Sequence, residues 1–420
     1  MQTATIDAIA KPNDVVLISP TGSGKTLAFL LPLLEMFDKE KEGVQVLILV
    51  PTRELALQIE QVFKQMSTGF KVNTCYGGHD VKIEKNNLQH PPALLIGTPG
   101  RIAHHLRKQN LTTKDVHTLI LDEFDKSLEA GFHDEMSFII KSSARIKKRI
   151  LTSATPLKEI PSFVGLKKHE ELNYTNNKQE AKETLQVKTV RVVGDDKLEA
   201  LMLLISKTGN KSTMVFCNHR DAVNRISEQL QFHKVDHGTY HGGLEQIDRE
   251  KTLIKLRNGS TNLLITTDLA ARGLDIPEIE AVIHYQLPTT EDAMIHRNGR
   301  TARMHATGTV YFLLDIDDHL PPFLEITPEE ETLPIKFVAP KPGKWKTLYI
   351  AAGKKDKVNK MDIVGVLLQK GNLQKEEVGK IEVLDHSAYV AISADKIANA
   401  VKLISEEKIK GKKIKVQIST

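Results

Sequence analysis

Residues 19 to 26 read Ser19-Pro20-Thr21-Gly22-Ser23-Gly24-Lys25-Thr26, directly after the apolar run Val15-Val16-Leu17-Ile18. A strand that ends in a glycine-rich loop and opens a helix at Lys-Thr is built to hold nucleotide phosphates. Glycines let the backbone curl so that its N–H groups converge on an anion. The helix N-terminus adds partial positive charge at the same point. Lys25 is placed for the β/γ-phosphates, and the Thr26 hydroxyl for Mg²⁺. The strict pattern has glycine six residues before the lysine, where this chain has Ser19. The alternative is a plain Gly/Ser turn, and the strand–loop–helix context argues against it.

At 420 residues the chain exceeds one ordinary core, so two or three domains are expected. No apolar run approaches the ~20 residues that span a membrane, and residues 1–14 lack a basic-then-apolar leader. Cys75 and Cys217 stand far apart without ligand-spaced partners, so neither a disulfide framework nor a zinc site is expected. A cytoplasmic monomer fits. The net charge of +5 is uneven: residues 344–420 hold 16 lysines against 9 acidic residues, leaving the rest near −2. A basic tail on a near-neutral body points to a polyanionic partner or to a solvated lysine surface.

Short apolar runs recur at Val46–Val50, Leu94–Ile96, Leu119–Leu121 and Ile150–Leu151, with helical patterns such as Leu27, Leu30, Leu31 and Leu34 in the intervals. Strands buried on both faces and alternating with helices imply a parallel α/β sheet. The polar stretch 167–184 reads as the end of this domain and a linker. A second set follows at Met214–Phe216, Leu263–Ile265, Val282–Tyr285 and Val310–Leu314. Six prolines lie in residues 321–343, the signature of a stiff connector. The expected organisation is an α/β chain with two tandem RecA-like parallel-sheet domains, 1–175 and 185–325. A Pro-rich linker, 326–343, and a small α+β unit, 344–420, follow.

Asp122-Glu123-Phe124-Asp125 follows the strand Leu119-Ile120-Leu121. Beside a phosphate loop, Asp122 can hold Mg²⁺ and Glu123 can orient and deprotonate a water. Taken alone, the segment also reads as an acidic helix N-terminus.

Further segments fall into order: Pro51-Thr52-Arg53-Glu54-Leu55, Gly77-Gly78, Thr98-Pro99-Gly100-Arg101, Ser153-Ala154-Thr155, His241-Gly242-Gly243, Asp268 to Asp275, and His296-Arg297-Asn298-Gly299-Arg300-Thr301-Ala302-Arg303. Together they resemble the DEAD-box RNA helicases, through residues 1 to about 320. The resemblance implies ATP and Mg²⁺ as cofactors and RNA as partner. Gln2 would read adenine, residues 19–26 would cradle the phosphates, and Asp275 would bond the ribose. Lys25, Asp122, Glu123 and His296 would serve the reaction, with Arg300 and Arg303 as arginine fingers on the γ-phosphate. Thr26 and Asp122 would hold the metal. Thr52, Arg53, Gly78, Thr98, Pro99, Gly100, Arg101, Gln246, Arg249, Thr267, Asp268 and Arg297 would contact RNA, and Asn218 is a further candidate. Ser153, Thr155 and Asp125 would couple ATP state to strand separation. The arginine cluster read by itself could equally be an RNA-binding face.

Residues 344–420 are expected in the order β-α-β-β-α-β of an RNA-recognition fold. Only Tyr349 and Tyr389 are available for base stacking on its central strands, and Ser387 stands where an aromatic is usual. A non-standard RNA surface is therefore expected, with candidate lysines that include Lys354, Lys355, Lys357, Lys410 and Lys412. The stretches Gly353-Lys354-Lys355, Gly379-Lys380-Ile381 and Lys408-Ile409-Lys410-Gly411-Lys412 resemble the C-terminal domain of DbpA-type helicases. That resemblance implies targeting to large-subunit ribosomal RNA during ribosome biogenesis; the alternative is a basic stabilising appendage. The expected function is local ATP-dependent unwinding of short RNA duplexes, with an ATP-regulated RNA clamp as the alternative.

Overall fold

The computed structural model describes residues 1–419 apart from 21, 79, 158, 176–184, 193–195, 272, 273, 275, 302–306 and 325. Contacts divide the chain into two units. One holds Met1–Glu183 and the other, in the main, Thr184–Ala271 and Ile276–Thr420.

The first unit is built on β1 (Asp14–Ile18), β2 (Val46–Leu49), β3 (Val72–Cys75), β4 (Leu94–Gly97), β5 (Thr118–Leu121), β6 (Lys148–Ser153) and β7 (His169–Asn173). They form one parallel sheet in the order β3-β4-β2-β5-β6-β1-β7. β1, β2, β4 and β5 are buried at every position, because helices cover both faces of such a sheet. β7 lies in the polar stretch 167–184, in the part expected to end this domain. His169–Asn173 pairs with β1 as an edge strand whose positions alternate between exposed and partly buried. Its polar composition hides it from any search for apolar runs.

In the second unit β8 (Leu185–Arg191), β9 (Thr213–Phe216), β10 (Gly238–Tyr240), β11 (Leu263–Thr266), β12 (Ala281–His284), β13 (Gly308–Leu314) and β14 (Glu329–Glu330) repeat the plan. Their order is β10-β11-β9-β12-β13-β8-β14, all parallel. β14 lies inside the Pro-rich segment. Glu331 beside it pairs with Lys188 at 2.8 Å and Lys207 at 2.6 Å, and Leu333 and Phe337 pack on the core. The segment 326–343 thus runs against the domain that it leaves.

The C-terminal part has an antiparallel sheet of β15 (Trp345–Ile350), β16 (Val378–Val383), β17 (Ala388–Ser393) and, past a hairpin, β20 (Val416–Ile418), ordered β16-β17-β15-β20. Helices Lys360–Gln369 and Ile397–Ile404 complete the expected order. The hairpin β18 (Lys408–Ile409) and β19 (Lys412–Lys413) is additional. Lys410 (φ 53°) and Gly411 (φ 78°) make its two-residue turn, the positive-φ pair that tight hairpins favour.

Side-chain alternation gives this small sheet two different faces. Leu348, Ile350, Ala388, Val390 and Ile392 point into its own core. Thr347, Tyr389 and Ala391, on the other face, are also buried, and the parallel-sheet domain of the same unit covers them. Thr347 Oγ1 accepts from Asn258 at 3.0 Å and donates to Ser260 at 2.8 Å. Arg257 grips the Glu382 carboxylate through two bonds of 2.9 and 2.7 Å. Among the described residues no helix is long and apolar enough to cross a membrane.

Candidate functional site

The order of the first sheet sorts the candidate residues. Ser19–Thr26 follow β1, Asp122 and Glu123 follow β5, and Ser153 ends β6; these three strands are neighbours. Thr52 and Arg53 follow β2, Gly78 follows β3, and Thr98–Arg101 follow β4, and those strands are neighbours too. Nucleotide and RNA candidates therefore occupy the two halves of one carboxyl edge, where α/β sheets bind ligands.

In the phosphate loop Gly22 (φ 81°) and Gly24 (φ 88°) take the left-handed conformation that glycine adopts without steric cost. The Gln2 side chain lies over Gly24, with its Nε2 donating to the Gly24 carbonyl at 3.4 Å. Ser19, in place of the expected glycine, is buried and bonds Ser23 Oγ at 2.7 Å. Its N–H reaches the Ser153 carbonyl at 3.0 Å. The Lys25 ammonium lies inside the loop against the Ser19 and Pro20 carbonyls. Burial lowers its pKa, against the opposing charges of Asp122 and Glu123. Burial raises the Asp122 pKa, against the Thr152 hydrogen bond and the Lys25 charge. A lysine, a threonine hydroxyl and carboxylates converging beside two positive-φ glycines suit a nucleotide triphosphate with a hard, oxygen-seeking cation. Thr21 lies outside the described residues.

Glu123 has φ 47° and ψ 52°, a left-handed conformation rare for a residue with a side chain. Such strain persists where surrounding bonds enforce it. Here the Glu123 N–H donates to Asp122 Oδ1 at 3.1 Å and to Thr152 Oγ1 at 3.2 Å, while Thr152 itself bonds Asp122. Sequence reasoning missed Thr152. The parallel register Leu121↔Leu151 sets it beside Asp122, and a pairing of the two strands would have revealed it. Ser153, Thr155 and Asp125 form one chain. Thr155 N–H donates to Ser153 Oγ at 3.2 Å and Thr155 Oγ1 to Asp125 at 3.4 Å. Phe124 is fully buried in the core.

Among the RNA candidates, Thr52 caps the helix Arg53–Gln65 by accepting from Leu55 N–H. The Arg53 guanidinium lies 4.7 Å over the Tyr76 ring, and Gly78 has φ 81°. Thr98 is the N-cap residue of the helix Pro99–Arg107, whose second residue is Gly100. Arg101 Nε donates to the Tyr76 carbonyl at 3.0 Å and lies 3.5 Å from Glu84. The fold also corrects the reading of Cys75 as isolated. Cys75, Glu84 and His105 are buried with their ligand-type atoms within 4.8 Å of one another. Glu84 already serves His105 at 2.7 Å and the Tyr76 N–H at 3.0 Å, so with Arg101 the cluster is a polar brace for the arginine.

In the second unit Arg297 is fully buried. It meets Asp268 through two bonds, Asn218 Oδ1 at 2.7 Å, the Gln286 carbonyl at 2.9 Å and the Phe216 ring at 5.4 Å. In this structure Arg297, the expected RNA contact, forms a cross-brace on the carboxyl ends of β9, β11 and β12. Asp268 and Asn218 belong to the same brace. Arg300 is buried, with Nε and Nη2 on the Ala271 carbonyl at 3.2 and 2.7 Å. His296 is buried. Thr267 follows β11, and its N–H bonds the Tyr240 carbonyl at the end of neighbouring β10. Gln246 and Arg249 lie on the helix Gln246–Arg257. Asp275 and Arg303 lie outside the described residues.

His284 stacks on Phe312, 4.5 Å between centroids, and bonds Asn298 at 2.9 Å. Burial and the Arg297 charge hold its pKa down at about 3, from an ordinary 6.5. The unfolded chain therefore takes a proton on His284 that the folded chain refuses across that window. Stability should fall as pH drops from about 6.5 toward 3, by up to about 1.4 kcal/mol per pH unit. Urea unfolding read by the single tryptophan, Trp345, at pH 7 and pH 5 checks this. His284→Gln should remove that part of the pH dependence.

At the C-terminal end, Lys354 and Lys355 are exposed on the turn after β15. The hairpin folds back toward them: Lys412 lies 3.8 Å from Asp356, and Lys410 bonds Asp362 at 2.8 Å. Tyr349 and Tyr389 meet edge to face at 5.4 Å, with Tyr389 only 4% exposed.

The DEAD/DEAH box helicase family matches residues 1–163, the helicase conserved C-terminal domain residues 196–305, and the DbpA RNA binding domain residues 347–418. The chain is 32% identical to the ATP-dependent RNA helicase DbpA of Escherichia coli (strain K12), over 100% of this chain and 93% of that relative. It is 29% identical to the protein of the same name in Bacillus subtilis (strain 168), over 99% and 93%. A solved structure of S. cerevisiae Dbp5 bound to RNA and ADP BeF3 shares the fold with a TM-score of 0.67 at 25% identity, over 75% of this chain and 83% of that one. The chain belongs to the DEAD-box family of ATP-dependent RNA helicases. Its C-terminal domain is of the DbpA RNA-binding type.

Proposed function

We propose that the protein opens short RNA helices locally, using ATP and Mg²⁺, and that its C-terminal domain directs it to large-subunit ribosomal RNA during assembly. The observation that supports this best is the division of one sheet edge into a nucleotide half and an RNA half, together with a full-length likeness to DbpA helicases. Thr26 and Asp122 would hold Mg²⁺, which neutralises phosphate charge when bound. Lys25 would bind the β/γ-phosphates, Glu123 would orient and deprotonate the attacking water, and Arg300 and Arg303 would supply positive charge. For Arg300 this requires exchanging the Ala271 carbonyl for a phosphate oxygen.

RNA recognition by the C-terminal domain would use the lysine-bearing loops at 354–357 and 408–415. The sheet face that carries Tyr349 and Tyr389 is covered within its own unit. The work per cycle is small. Micromolar binding is worth about −8 kcal/mol and a duplex step roughly 1.4 kcal/mol, so one cycle offsets on the order of five or six steps. Long processive unwinding is not expected.

A strand-displacement assay with a short RNA duplex beside a ribosomal hairpin tests the reading. ATP-dependent displacement that drops when the hairpin is scrambled is the expected result. RNA-stimulated ATP hydrolysis with tight binding but no displacement would instead establish a clamp.

A further inference from the structure

A cleft of about 520 Å³ lies within the second unit, along the seam where the parallel-sheet domain meets the Pro-rich segment and the C-terminal domain. Five lysines line it: Lys211, Lys234 and Lys255 from the sheet domain, Lys341 from the Pro-rich segment and Lys346 from β15. Asp236 is the one carboxylate among its described lining residues. None of the five ammonium groups has an ion pair among the described residues, whereas Lys188, Lys197 and Lys207 of the same domain are all paired. Burial lowers the Lys255 pKa, the Asp236 charge opposes this, and the charges of Lys251 and Lys346 add to the lowering. Lysines from two domains thus face a common space. The Ser419 hydroxyl also lines the cleft, 8% exposed and without a hydrogen-bond partner.

Helix ends account for part of this charge. The helices Lys197–Thr208, Arg220–Phe232 and Gln246–Arg257 finish near the cleft, and each C-terminus carries roughly −0.5 charge that favours a nearby lysine. Three such ends and Asp236 offset about half of the five positive charges, leaving a surplus of about +2.5. Lys341 and Lys346 sit on no helix. The surplus makes the cleft electropositive and favourable to an anion from outside the chain.

The chemistry of the lining selects among anions. The lining has no Phe, Tyr or Trp, and its one imidazole, His237, is tied by both ring nitrogens to Ser227 and the Val235 carbonyl at 2.8 Å each, so it offers little platform for stacking a base. Its volume fits a few phosphate groups and not a duplex. It is also separate from the residues already discussed. Thr213, Thr239 and Leu263, at the starts of β9, β10 and β11, line it, whereas Asn218, His241 and Thr267 follow the ends of those strands. The two edges are about 13 Å apart, at ~3.3 Å per residue.

We propose that this seam cleft is a second RNA-backbone site, which holds consecutive phosphates of a single-stranded segment without reading sequence. It rests on the RNA-binding reading above, because both domains that supply the lysines match RNA-helicase families.

The test uses the full chain with Lys211→Gln/Lys341→Gln, two exposed lysines outside the catalytic and motif residues. As a control, Lys39→Gln/Lys85→Gln removes two exposed lysines of the first unit. Each single-strand phosphate contact contributes about −0.7 to the slope of log affinity against log salt. The seam variant should therefore show a slope shallower by about 1.4. From 50 to 200 mM salt its affinity should fall about sevenfold less than that of the parent. ATP turnover at saturating RNA should be unchanged. The control should keep the parent slope.

Equal slopes for seam variant and parent would overturn the proposal. So would an equal change in seam variant and control, which would mark a bulk charge effect. Inorganic tripolyphosphate is the second arm, read by Trp345 fluorescence. Lys211- and Lys341-dependent tripolyphosphate binding with unchanged RNA slopes would assign the cleft to a free polyphosphate and overturn the RNA proposal. Salt slopes need only binding, so they stand or fall separately from strand displacement.

Discussion

Glu123→Gln should lower RNA-stimulated ATP turnover about 10²- to 10⁴-fold, the usual contribution of a positioned general base. Affinities for ATP and RNA should remain near those of the parent. Glutamine keeps the shape and the backbone N–H through which residue 123 bonds Asp122 and Thr152. It removes only the ability to accept a proton from water. The left-handed backbone at this residue, φ 47°, makes the result diagnostic. That conformation costs of order 1–3 kcal/mol, and two side chains, Asp122 and Thr152, are arranged to hold it. A helix cap does not need it, since an ordinary cap residue has extended backbone. An aimed carboxylate gives the strain a purpose. Single-turnover hydrolysis beside equilibrium binding of a fluorescent ATP analogue and of RNA separates the two effects. Turnover within threefold of the parent would remove Glu123 from the base role and leave its strain unexplained. Thr152→Val gives a graded companion: it keeps the carboxylate but loosens its aim, so turnover should fall less, and Thr152→Ser should restore it.

What the sequence discloses follows from how each part is stabilised. Strands buried on both faces announce themselves as apolar runs, so β1, β2, β4, β5, β9, β11, β12 and β13 are visible by inspection. The edge strands β7 and β14 are polar because one side of each faces solvent, and no apolar period marks them. The Lys410-Gly411 turn is a local signal that the lysine-rich composition masks. At the site, the phosphate loop and the acidic segment are legible because their chemistry is written in consecutive residues. Thr152 and the Cys75–Glu84–His105–Arg101 brace are not, since each draws on residues brought together only by strand register or helix packing. The scarcity of aromatics on the small sheet is visible in the sequence. Its cause is visible only in the fold, where Thr347, Tyr389 and Ala391 are buried and Thr347 bonds Asn258 and Ser260.

Arg297 marks where a motif read by position and a side chain read by its surroundings part company. Removing it should cost folding stability before it costs anything else. Arg297→Met deletes a buried guanidinium that serves Asp268, Asn218 and the Gln286 carbonyl. Breaking one side of a buried ion pair is worth about 3–5 kcal/mol. The lower end applies here, because Asp268 keeps a third of its side chain exposed and regains some water. The urea midpoint read by Trp345 should shift accordingly. Asp268→Asn added to Arg297→Met should recover part of the loss, since the stranded negative charge is then gone. An arginine whose main task was to hold RNA would behave in the opposite way. Its loss would leave the midpoint in place and reduce the salt slope of single-strand binding by about 0.7. The pair of measurements therefore decides the residue's role without reference to activity. A midpoint unchanged within a few tenths of a kcal/mol would show that the bonds around Arg297 are dispensable to the fold and return the residue to the RNA surface.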